Sequence, residues 1–168
     1  MSNTGVHENM RQDQPIFSGI PMELEEMKDR LDLVNTLPKN AQIVTLEHAR
    51  ASLDEAQRIL SVLQSMSDEA HDLTDELELV LETLPMNHPH VAEVAEQLAQ
   101  LVHQWQSSVS RLEGLGARIV SIDPGRIDWY GVVDHHVALF SWHTGEEDIE
   151  WYYHVDEGFS CRKPLIEA

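Results

Sequence analysis

Apolar positions along this chain keep one rhythm through its middle and another near its end. Leu46, Ala49, Leu53, Ala56, Leu60, Leu63, Ser67, Ala70, Thr74, Leu77, Leu81 and Leu84 step by three and four with no Gly or Pro between them. That spacing predicts a long amphipathic helix with a coiled-coil-like seam, and Thr45 supplies an N-cap hydroxyl for it. Ser67, Ala70 and Thr74 make the middle of the seam small or polar, so a break into two helices there stays open beside one continuous helix. Pro85 and Pro89 frame a turn, after which Val91, Val94, Leu98, Leu101, Trp105, Ser108, Leu112 and Leu115 repeat the step up to Gly114 and Gly116. The result is an antiparallel helical hairpin over 46–115. At about 1.5 Å per residue its arms run to ~58 and ~40 Å, so the longer must overhang, bend or pair with another subunit. A homodimer and an ordinary intramolecular hairpin both satisfy that requirement.

Beyond Gly116 the period drops to two, and eight of the ten aromatic residues fall between Trp129 and Phe159, which moves the weight of the core to this end. RIVSI (118–122), RIDWYGVV (126–133), HVALFSWH (136–143) and DIEWYYHV (148–155) read as strands, with turns at Asp134-His135 and Gly145-Glu146. The fold class is therefore α+β: a helical hairpin followed by a three- to four-stranded antiparallel meander over 118–155, packed on it. With those turns as hairpin tips, Ile127, Trp142 and Ile149 form one row, Trp129, Phe140 and Trp151 the next, and Gly131, Ala138 and Tyr153 a third, all on the core face. The other face then holds Arg126 with His143 and Asp148, Asp128 with Ser141 and Glu150, and Tyr130 with Leu139 and Tyr152.

Residues 1–42 read as a polar, flexible tail with a short helix over 22–34 marked by Leu24, Met27, Leu31 and Val34; 43–165 read as one domain, with 156–168 as its closing segment. Acidic residues outnumber basic ones 30 to 11, for a formal net charge of −19. Such a field repels phosphate backbones and anionic lipid headgroups, which argues against nucleic-acid and membrane partners. Between Arg58 and Arg111 there is no Lys or Arg, while Asp68, Glu69, Asp72, Asp75, Glu76, Glu78 and Glu82 crowd together. This one-signed face suits solvent or a basic partner, and it lacks the glycine and ligand spacing of a calcium loop. The lone Cys161 closes no intrachain disulfide, the opening residues lack signal-peptide blocks, and no apolar run nears the roughly 18–20 residues of a membrane span. The expectation is a soluble cytoplasmic protein.

The polar face of the meander is the main candidate for chemistry. Asp128, His143 and Glu150 would converge around Ser141, a donor set able to hold a divalent metal (zinc, iron or manganese) or to exchange protons with a ligand. The alternative is an ordinary solvated sheet face with cross-strand ion pairs. His154 joins the metal candidates because Asp156 or Glu157 could orient its ring. His88, His90, His135 and His136 lie in turns without a zinc spacing, and no P-loop, dinucleotide fingerprint or nucleophile elbow occurs.

VTLEHARASL (44–53), LGARIVSIDPGRIDWYGVV and SWHTGEEDIEWYYHVDEGFSCRKPL (141–165) resemble the prokaryotic family called domain of unknown function 2203, over about residues 43–165. The family's closing run corresponds here to Trp151, His154, Asp156, Gly158, Phe159, Arg162 and Pro164. His135 stands where relatives carry a hairpin glycine and so must take up a turn conformation that glycine adopts freely; Ser141 stands where a cysteine is common. The resemblance implies a fold and no catalytic residues. In physical terms Gly158 can turn the chain over the sheet, Phe159 can plug the helix–sheet seam and Arg162 can reach Asp156 and Glu157.

Two functions follow. The favoured one is a non-catalytic interaction or assembly module, joined to a second copy or a protein partner through the acidic hairpin. The other is a small-ligand or divalent-metal site, suited also to hydrolysis, built from Asp128, His143, Glu150, His154, Asp156 and Arg162.

Overall fold

The computed structural model describes residues 37–38 and 41–167; the helix expected over 22–34 and most of the tail lie outside the described residues. Helix α1 spans Leu46–Thr83 and α2 Pro89–Gly114. The Thr45 hydroxyl caps α1 by accepting from the His48 amide at 3.1 Å, and the His88 ring caps α2 by accepting from the His90 amide at 3.2 Å. α1 is continuous through its polar middle. There the Thr74 hydroxyl donates to the Ala70 carbonyl at 2.7 Å, a bond made within the helix in place of a new cap. Arg111 meets Glu55 at 2.6 Å and His90 meets Glu76 at 3.2 Å. These pairs set the stagger: α1 passes α2 by roughly one to two turns at either end. Overhang therefore accounts for the unequal arms, and length alone asks for no second subunit.

The sheet has five strands in the order β1 (Ala117–Ser121), β2 (Arg126–Val133), β3 (His136–His143), β4 (Trp151–His154) and β5 (Lys163–Pro164), each antiparallel to the next. β2 and β3 pair as the sequence predicts, with Ile127 opposite Trp142, Trp129 opposite Phe140 and Gly131 opposite Ala138. Their turn places Asp134 at φ 50° and His135 at φ 63°, the left-handed region. β3 and β4 pair one residue out of the expected register: Phe140 faces Tyr152, Ser141 faces Trp151 and Leu139 faces Tyr153. The shift arises between His143 and Trp151. The Glu146 carboxylate accepts from the His143 amide at 2.9 Å, and Arg50 takes the Ile149 carbonyl through two bonds of 3.1 and 2.9 Å, so this stretch leaves the ladder. Ile149 and Tyr152 thus both reach the core, and Trp151, expected beside Trp129 and Trp142, turns to the opposite face.

One core joins α1 to the inner face of the sheet. Ala49, Leu53, Ala56, Leu60 and Leu63 line one stripe of α1, and Ile127, Trp129, Phe140, Trp142, Ile149 and Tyr152 oppose them, with Leu112 and Leu165 at the margins. Each such ring or large aliphatic side chain stabilises the fold by about 1.5–3 kcal/mol on burial. The Trp129 indole N–H, fully buried, donates to the Ser52 hydroxyl at 3.1 Å, and that hydroxyl donates to the Ala49 carbonyl at 2.9 Å.

Two substitutions probe this arrangement. A methyl at position 131 would enter the Phe140 ring, so Gly131→Ala is expected to cost about 2 kcal/mol in urea denaturation. His135→Gly should add ~1 kcal/mol in the same assay by relieving the left-handed backbone.

Candidate functional site

Alternation in β2 and β3 turns Asp128, Tyr130, Leu139 and Ser141 away from the helices, yet they are not solvated. Asp128 is 1% exposed and Ser141 fully buried. The register of β4 brings Tyr153 to the same face, and its hydroxyl donates to Asp128 Oδ2 across β3. Arg118 of β1, paired directly opposite Asp128, lies 3.6 Å from Oδ2 and donates to the Tyr130 hydroxyl at 2.8 Å. Asp128 Oδ1 and the Ser141 hydroxyl are buried without a hydrogen-bond partner among the described residues. Burial pushes the Asp128 carboxyl above its usual range, against the Tyr153 hydrogen bond and the charges of Arg118 and Arg126, which pull it down. Burial and the neighbouring carboxylate raise the Tyr153 hydroxyl as well.

The closing segment covers the neighbouring part of this face. Phe159 starts a 3₁₀ turn, Phe159–Cys161, and takes the Arg126 guanidinium 3.4 Å from its ring centre, with Arg162 at 4.6 Å. Arg162 also lies 5.3 Å from the Trp151 ring and pairs with Glu146 at 2.5 Å. Phe159 therefore stays out of the helix–sheet seam expected for it, where Leu165 enters the core instead. Nor does Arg162 go to Asp156 or Glu157: Glu146 is nearer, and Glu157 faces Lys163 at 3.5 Å.

The expected site residues are only partly brought together. Asp128 and Arg162 occupy the outer face. His143 ends β3 opposite Arg126, with its ring bonded to the Thr144 carbonyl at 2.8 Å. Glu150 is exposed where the chain leaves the ladder, and Trp151 takes the place predicted for it opposite Ser141. His154 falls on the inner-face side of β4 opposite Ala138, its ring 5.8 Å from His136 and 5.6 Å from Tyr152, and Asp156 is exposed in the turn that follows. The donor set Asp128, His143, Glu150 and His154 is thus divided between two faces. Among the described residues no three His, Cys, Asp or Glu side chains stand together to hold a metal. Sequence reasoning missed Tyr153 because of the one-residue shift. It missed Arg118 because it gave the first strand no partner, and counting back across the 122–125 turn would have set Ile119 opposite Asp128; the irregularity between Ile119 and Ser121 puts Arg118 there instead.

A cavity of about 210 Å³ opens beside this cluster. β1 starts at Ala117 opposite Trp129, and past that end of it the segment 41–44 takes the place next to β2, the Val44 amide donating to the Tyr130 carbonyl at 2.8 Å. Pro38, Ala41, Gln42, Glu113, Gly116, Ala117, Arg118 and Tyr130 line the space at that junction. The model of the family described as Uncharacterized conserved protein (DUF2203) matches residues 42–165. The chain belongs to this family. No curated protein and no solved structure matches it. The DUF2203 match takes in the whole Asp128 cluster and every cavity residue except Pro38 and Ala41. No helix among the described residues is long and apolar enough to cross a membrane.

Because the folded chain raises the Asp128 pKa above the unfolded value of 3.8, this group's stabilising contribution is greatest at low pH and is lost as pH rises through the raised value. Asp128→Asn keeps an acceptor for Tyr153 and removes the charge. In urea denaturation from about pH 4 to about pH 7 the stability difference should shift in favour of the variant as pH rises; a shift towards the wild type contradicts this account. Tyr153→Phe, which strips the buried carboxylate of its donor, should cost about 1–3 kcal/mol near neutral pH.

Proposed function

We propose that this chain binds a small anionic molecule, a carboxylate or a phosphate ester, in the cavity beside Arg118. The observation that carries the reading is the state of that arginine. Its side chain is 42% exposed and lines the cavity, while its counter-ion, Asp128, is 1% exposed and held by burial towards its neutral form. A guanidinium whose partner is weakened in this way, fixed on its other side by the Tyr130 hydroxyl, is a preorganised anion receptor. Gln42 adds amide donors, and Pro38, Ala41 and Ala117 supply apolar wall for a short carbon skeleton. At about 210 Å³ the space is smaller than the roughly 300–1,000 Å³ of drug-sized sites, which fits a compact metabolite.

Asp128 does not line the cavity, so the arrangement supports binding rather than turnover, and the dispersed donor set gives no basis for routing a metal through it. Isothermal titration with inorganic phosphate, acetate and butyrate tests the reading. At least one should bind saturably to the wild type, and Arg118→Ala should weaken that binding by about tenfold or more with the fold intact by circular dichroism. Absence of saturable binding to all three, or binding that the substitution leaves unchanged, overturns it.

A further inference from the structure

The far half of the helical hairpin stands apart from the sheet and its cavity, and its surface has a different character. No residue of α1 between Leu63 and Val80 is buried, and in α2 only Val91, Val94 and Leu101 are buried before Leu112. Two helices alone give one seam and no second layer. Leu73, Leu77 and Leu98 are accordingly only half-buried, Leu81, one turn on from Leu77, is 44% exposed, and Met86 in the turn is 83% exposed. Around this apolar surface the charge has one sign. The chain from Arg58 to Arg111 contains no Lys or Arg between them. His71 and His90 are the only partners for its carboxylates among the described residues, leaving Asp68, Glu69, Asp72, Glu78 and Glu82 uncompensated.

We propose that this arm docks a basic amphipathic helix of another protein, which lays its apolar stripe along the half-covered seam and completes a three-helix layer. Charge selects the occupant. A second copy of this chain would bring the same uncompensated carboxylates against each other across the contact, whereas Lys and Arg flanking an apolar stripe would neutralise them while burying the leucines.

The test uses the full chain and a fluorescent peptide of about three heptads with leucine at a and d and lysine elsewhere. Fluorescence anisotropy should show it binding at least about tenfold more tightly than a scrambled peptide of the same composition. Glu69→Lys combined with Asp72→Lys, both at exposed positions, should weaken binding by a similar factor, while Glu147→Lys, in the loop between β3 and β4, should leave it unchanged. Equal affinity for the scrambled peptide means attraction by charge alone and overturns the proposal, as does indifference to the paired reversal. A chain that sediments as a dimer and yields no complex with the peptide overturns it in favour of a second copy.

Discussion

Trp129, Phe140, Trp142 and Tyr152 share one core with the first half of α1, and that contact fixes much of what lies behind the sheet. Trp129 on β2 and Phe140 and Trp142 on β3 alternate with the outward residues, so moving either strand by one residue would carry these rings into the place now held by Asp128 and Ser141. The indole bond from Trp129 to Ser52 adds a directional tie between sheet and helix. With the inner face held, the outer face has no freedom of its own. A carboxylate stands at position 128 of the buried strand, and the chain must satisfy it there.

How it does so gives the outer face its character. In a chain of formal charge −19, Arg118 and Arg126 are both set close enough to this one carboxylate to act on its ionisation, and Tyr153 reaches across β3 to give it a proton donor. Arg126 is in turn held by Phe159, which Arg162 also approaches, so the closing segment is tied to the sheet through guanidinium and ring rather than through apolar contact alone. Desolvation still outweighs these partners in setting the carboxyl's pKa. Arg118, whose side chain is 42% exposed, belongs both to this cluster and to the lining of the cavity beside it.

The helical hairpin was legible in the sequence because its signals are local: the three-four step, the Thr45 cap, and the prolines around the turn each act over a few residues. The β2–β3 pairing was legible for the same reason, its turn having only two central residues, Asp134 and His135. β4 was not. Its register depends on Arg50, far away in the sequence, taking the Ile149 carbonyl, and strict alternation from Ile149 to Tyr153 assumed a ladder that this bond interrupts. The site inherits both outcomes. Asp128, Ser141 and Arg126 were placed together from the strand pattern, while Glu150 was exchanged for Trp151 and Tyr153 was assigned to the wrong face by the same single step. Arg162 found Glu146 instead of Asp156, a choice made by three-dimensional proximity that no spacing rule encodes.

The two margins of the sheet carry a consequence of their own. On one side β5 is only Lys163–Pro164, and proline offers no amide hydrogen for an incoming chain. On the other, β1 is irregular between Ile119 and Ser121 and gives way to the 41–44 segment beside Tyr130. Neither border presents a long, straight row of free amides and carbonyls, so a sheet rich in aromatic residues is guarded against growing into fibrils by strand addition.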